Sequence, residues 1–244
     1  MKNTLFILSF FLVVAVTGCK KSNTKNEIVK EEVFNDPNWI QIKIPNAGEV
    51  NAIAGSIDDT LLVTTRTKAF FTTNKGATWQ ESKNFNGSAP GLLVVKDTIY
   101  ALVASASDAK YEKTYASLSQ YYTLDKGKSW NNSAYQNLYK SMQTGIATSK
   151  DGSTFKLNYH TGSDKNGTGN NYVLQTTIAR TDRSGNIQSF TYPSKRQPLN
   201  LFVDKQDRLY IPTSGGYFTD AGVLFSSSMF DPAYIYISKK AVSQ

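Results

Sequence analysis

TTNKGATW at residues 72–79 and TLDKGKSW at residues 123–130 decide the fold. Both read hydroxyl, any residue, Asn or Asp, Lys, Gly, any residue, hydroxyl, Trp. A turn that recurs implies a unit that recurs, and a repeated unit fixes architecture before any single residue fixes a chemistry. Each position has local work to do. Thr72 and Thr123 open the turns, and a short acceptor, Asn74 or Asp125, bonds backbone N–H groups of its own turn. Gly76 and Gly127 take the positive φ that a side chain would penalise. Trp79 and Trp130 set a large ring at the hairpin base, with an indole N–H that requires a partner.

A second turn recurs around the first. Asp59, Asp97, Asp151 and Asp207 each stand just before an apolar run, at intervals of 38, 54 and 56 residues; a propeller blade runs to roughly 40–45 residues, so the later units carry insertions. Residues 39–44 (WIQIKI) alternate as a half-buried strand does. The runs at 92–95, 99–104, 201–203, 209–211 and 234–237 are continuously apolar, as strands covered on both faces are. With no convincing helical period, the chain reads as all-β.

The octapeptides resemble the Asp-box of the BNR-repeat propellers in the sialidase-like superfamily, Ser/Thr-x-Asp-x-Gly-x-Thr/Ser-Trp, with Asn74 in place of the first Asp. A third, degenerate copy spans 181–190 and lacks the Trp. The resemblance implies a small β-propeller, with each box closing the hairpin between a blade's third and fourth strands, in a structural role. Four first-to-second-strand turns give four blades. A five-bladed count requires residues 214–233 to hold two strands of their own. Trp39-Ile40-Gln41 echoes Trp79-Gln80 and Trp130-Asn131, so the N-terminal strand is expected to close the ring as the outermost strand of the last blade, beside 234–238.

The first 36 residues read as an address. A short basic start precedes twelve residues, 5–16, that are apolar except Ser9, the length of a signal-peptide core. Val16-Thr17-Gly18-Cys19 resembles a bacterial lipobox, which implies a signal peptide over 1–18 and lipidation of Cys19, the chain's one cysteine. Acyl chains there imply a membrane anchor, and Lys20 after the Cys implies the outer membrane by resemblance to Gram-negative sorting. Residues 19–36, rich in mixed charge, read as a flexible tether, and 37–244 as the propeller.

The net charge of +8 is spread along the chain without a nucleic-acid motif, so a nucleic-acid partner is not expected. Surplus length falls between second and third strands. Blade one needs only Thr65–Lys68 there, whereas 105–117, 161–171 and 214–233 read as long loops emerging on one face. Tyr111, Tyr115, Tyr217 and Phe218 are the expected apolar anchors of a binding face for a protein or a glycan.

Catalysis is not expected. Sialidase-like enzymes need three arginines around the substrate carboxylate, a Tyr–Glu pair and an acidic residue. This chain offers Arg66, Arg180, Arg183, Arg196 and Arg208 without the Phe/Tyr-Arg-Ile-Pro motif, and Tyr111-Glu112 are sequence neighbours whose side chains diverge on a strand. His160 is the sole histidine, so no metal or cofactor site is expected. The reading is a monomeric, lipid-anchored, non-catalytic binder, with sialidase-like glycan processing as the alternative.

Overall fold

A computed structural model describes residues 34–109, 113–163, 171–219, 222, 224–225 and 231–243. The expected signal peptide, Cys19 and most of the expected tether lie outside the described residues, as does Tyr111. Phe34–Gln244 form one compact unit. Phe34 packs edge-on against Tyr236 at 5.6 Å.

The chain opens with β1 (Trp39–Ile44). Blade one is β2 (Ala52–Gly55), β3 (Leu61–Thr64), β4 (Lys68–Thr72) and β5 (Gln80–Asn84), hydrogen-bonded in chain order. Blade two holds β6 (Gly91–Val95), β7 (Thr98–Ser107) and β8 (Thr114–Thr123), edged by β9 (Asn131–Asn132) and β10 (Ser141–Thr144). Blade three is β11 (Ile146–Thr148), β12 (Thr154–Ser163), β13 (Asn171–Thr181) and β14 (Ile187–Phe190). Blade four contains β15 (Arg196–Pro198), β16 (Phe202–Val203), β17 (Leu209–Phe218), β18 (Leu224–Phe225) and β19 (Ala233–Ser238).

The ring closes at β1. It pairs antiparallel with β19 from Trp39↔Ser238 to Ile44↔Ala233, so the first strand is the outer edge of the last blade, as the Trp39 echo implied. There are four blades. Residues 214–218 continue β17 and pair with β18, lengthening blade four where a fifth blade would have needed an independent sheet.

Apolar strand faces fill the seams between blades. Ile42, Ile44, Ile53, Val63, Tyr210, Ile235 and Ile237 join blade four to blade one. Leu62, Phe71, Leu92, Ile99 and Ala101 join blade one to blade two. Phe155, Leu157, Ile178, Leu209, Ile211 and Tyr236 join blade three to blade four. None of these clusters crosses from blade two to blade three among the described residues. Burying a side chain of this size contributes about 1.5–3 kcal/mol, so the seams are where stability is concentrated.

Antiparallel pairing sorts the turns onto two faces. First-to-second and third-to-fourth turns share one face, and second-to-third turns share the other. Three of the second-to-third connections differ from the expected loops. The segments 105–107 and 114–117 belong to β7 and β8, 161–163 belongs to β12, and 214–218 belongs to β17. Those stretches of the surplus length are hairpin arms. Among the described residues no helix is long and apolar enough to cross a membrane.

Candidate binding face and the turns opposite it

The two octapeptides build one turn twice. The Thr72 hydroxyl donates to Asn74 Oδ1 at 2.9 Å and accepts from Gly76 N at 3.1 Å, while Asn74 Oδ1 accepts from Thr78 N at 3.0 Å. Thr123, Asp125, Gly127 and Ser129 repeat this at 2.7, 2.9 and 2.9 Å. Each indole then crosses a seam. Trp79 Nε1 donates to Lys43 O at 3.2 Å, and Trp130 Nε1 to Ser82 Oγ at 3.1 Å. Burial pushes the Asp125 carboxyl up, but hydrogen bonds from Ser129 and Thr123 outweigh it and hold the group below the usual carboxylate range. These are the bonds of a braced turn. In the degenerate third copy Asp182 caps Ser184 N and Asn186 N at 2.8 and 2.9 Å, and Ile187 stands exposed where the indole would be.

The same face carries a buried polar knot. Asp204 accepts from Arg208 Nε at 3.0 Å and Tyr210 OH at 2.7 Å, and Arg208 reaches across the seam to Asp58 at 2.8 Å. Burial raises the Asp204 pKa, but the Arg208 and Tyr210 hydrogen bonds bring it below its ordinary value. At the blade-three turn, the Ser149 hydroxyl and the Ser153 N–H lower Asp151 to about 2.

On the opposite face the arms rise from blades two, three and four, while blade one stays low, its turn closed by Thr65 N to Lys68 O at 2.8 Å. Asn200 stitches the floor between them. Its Oδ1 accepts from Gly145 N at 2.8 Å and its Nδ2 donates to Asn51 O at 2.9 Å, tying three innermost strands at their starts. Arg196 lies with its guanidinium 3.8 Å over the Tyr234 ring and donates to Gly215 O. The Glu49–Arg66 pair at 3.7 Å is exposed and worth little.

The expected anchors separate here. Tyr217 is 42% exposed and stacks on Phe225, centroids 5.6 Å apart at 12°. Phe225 is 59% exposed. Phe218 corrects the sequence reading: it is buried at 2% exposure and cannot meet a ligand. Neighbours on a strand point to opposite faces, so Tyr217 outward requires Phe218 inward. Tyr115 is half-buried on β8, opposite Ala106 and Gln143, flanking the arm without crowning it. Sequence reasoning missed Phe225, and also the exposed pair Tyr135 and Tyr139, whose hydroxyls bond at 2.8 Å on the rim of blade two.

The arginines are dispersed. Arg66 and Arg196 serve the hairpin face. Arg180 and Arg208 pair with Asp151 and Asp204 at the opposite face, where Arg183 occupies the blade-three turn. His160 bonds Thr177 Oγ1 at 2.9 Å. No group of three metal-ligating side chains occurs among the described residues.

No family model and no curated protein matches the chain. Among solved structures it is similar to the WD40 β-propeller domain of Doa1, at 10% identity and a TM-score of 0.37, covering 85% of this chain and 99% of that one. The Neurospora crassa Pan2 WD40 domain matches at 11% identity and TM-score 0.33 over 86% and 98%. YCF48 bound to D1 peptide matches at 10% identity and TM-score 0.28 over 80% and 74%. The four sheets, with β1 closing the last of them, make this chain a four-bladed β-propeller.

Proposed function

We propose that the protein is an exported, lipid-anchored, non-catalytic propeller of Asp-box type that binds another protein through its hairpin face. The observation that carries this reading is the one-sided lengthening of the blades. Strands two and three grow in three blades at the face away from the boxes, and one arm ends in an exposed aromatic stack. Length added where it buries little core suits recognition better than folding.

A glycan is the second reading, favoured by the Tyr217–Phe225 stack as a platform for a sugar ring. The test compares the full chain with a Tyr217→Ser, Phe225→Ser double variant in protein capture from the cell envelope and on a glycan array. Loss of a captured protein at unchanged Tm supports the first reading. Loss confined to glycans supports the second, and unchanged capture removes both. Cys19→Ser in the same preparations should release the chain from membranes; a variant that still sediments with them would remove the anchor.

A further inference from the structure

Three of the four seams are tied by specific bonds as well as by apolar packing. Blades four and one share Asn200 Nδ2 to Asn51 O at 2.9 Å, Trp79 Nε1 to Lys43 O at 3.2 Å and the Arg208–Asp58 pair at 2.8 Å. Blades one and two share Trp130 Nε1 to Ser82 Oγ at 3.1 Å, Thr64 Oγ1 to Ala89 O at 2.7 Å and the Lys126–Asp59 pair. Blades three and four share Lys150 N to Asp207 Oδ1 at 2.7 Å, Gly145 N to Asn200 Oδ1 at 2.8 Å and the Trp39–Phe190 edge contact at 6.1 Å. Between blades two and three no hydrogen bond, ion pair, ring contact or apolar cluster crosses among the described residues. Only the chain itself crosses there, from β10 to β11 at Thr144-Gly145.

The faces turned to this seam differ in kind from the others. Leu92, Ile99 and Ala101 are buried against blade one, so the alternate positions Leu93 and Tyr100, with Tyr122 paired beside them, face blade three. All three are only half-buried. On blade three, Phe155, Leu157 and Ile178 are buried against blade four, which leaves Thr154, Lys156 and Thr181 half-buried on the side of blade two. Hydroxyl and ammonium groups return to water easily, whereas parting any other seam uncovers Ile, Leu and Phe side chains.

The box brace is missing here as well. Phe71 pairs with Gln80 and Tyr122 with Asn131, and Arg180 pairs with Gln188 in the same way, so Ile187 holds the position of Trp79 and Trp130. Ile187 is 74% exposed. Ser82, which receives the Trp130 indole, directly follows the paired residues Gln80 and Glu81. Ser133 directly follows the paired residues Asn131 and Asn132, and its hydroxyl is buried with no partner. Blade two thus keeps the acceptor of a cross-seam bond whose donor blade three has lost.

We propose that the propeller is a split ring, in which the seam between blades two and three opens and closes in the folded protein while the other three stay shut. Opening parts the β7–β8 arm from the β12–β13 arm on the hairpin face and leaves the β1–β19 closure intact. The gate stands whether or not the hairpin face binds a partner.

Backbone amide relaxation dispersion by NMR on the full chain tests it, because it reports exchange on the μs–ms timescale of such motions. Tyr100, Tyr122, Thr154 and Thr181 should fit one shared process, while Ile42, Leu62, Phe155 and Ile235 stay flat. Ile187→Trp should lower the open population roughly threefold or more by restoring one buried hydrogen bond and its ring. Adding Ser133→Ala to that variant should restore part of the exchange, whereas Ser133→Ala alone should leave it unchanged, since the hydroxyl has no partner to lose. Flat profiles at this seam, or equal dispersion at all four, overturn the proposal, and so does an unchanged open population in folded Ile187→Trp. Should Ile187→Trp fail to fold, the profiles of the unaltered chain decide.

Discussion

Gly127 shows how one position serves both a turn and a seam. Its φ is +91°, and a Cβ there would collide with Leu62 Cδ1 of blade one. Gly185, at φ +83° in the degenerate third turn, has nothing within 4 Å of where its Cβ would go. Gly185→Ala should therefore cost only the left-handed backbone penalty, about 1–2 kcal/mol. Gly127→Ala should cost about 2–4 kcal/mol, because overpacking against Leu62 adds to it. Urea denaturation of the two variants checks this, and equal losses would mean that the box glycine does not govern blade packing. The backbone requirement was legible in the sequence because turn chemistry is local. The collision with Leu62 was not, since it depends on a residue of another blade. Phe218 was misplaced for a different reason: it was counted with Tyr217 as part of a loop, and on a strand two such neighbours cannot share a face.

At the scale of elements, the arms are strands where loops were expected. Residues 105–107 and 161–163 are Ser-, Ala-, Thr- and Gly-rich, which lowers intrinsic strand preference, yet they pair because the buried halves of β7 and β12 set the register and the hairpins run on. The fourth strand of blade two is also divided, into β9 and β10 around the short helical turn Tyr135–Asn137, and nothing in the repeat signalled that. The apolar runs marked core strands such as β17 and β19 well, whereas in β6 the run leaves Val94 and Val95 exposed. The blade-three arm makes a direct test. Its residues Tyr159, His160, Thr161 and Val173 are exposed, and none of them belongs to an interblade cluster. Replacing 161–173 with a turn like Thr65–Lys68 should change stability by less than about 0.5 kcal/mol in thermal unfolding, while reducing partner capture. A loss above about 2 kcal/mol would make the arm part of the fold's support instead.

For the whole molecule, the distribution of apolar contact says where the ring is fastened. The cluster between blades four and one includes Ile42, Ile44, Ile235 and Ile237, the strands from the two ends of the folded unit. The same seam is locked at one face by the Asp204–Arg208–Asp58 knot. Closure here removes an open sheet edge and converts four small sheets into one cooperative body. It was legible because Trp39 repeats the start of two other outermost strands. Cross-strand NOEs between the α-protons of β1 and β19 test the closure most directly. Contacts following the register from Trp39–Ser238 to Ile44–Ala233 are expected. Absence of those contacts in the folded protein, or β1 paired to any other strand, would contradict it.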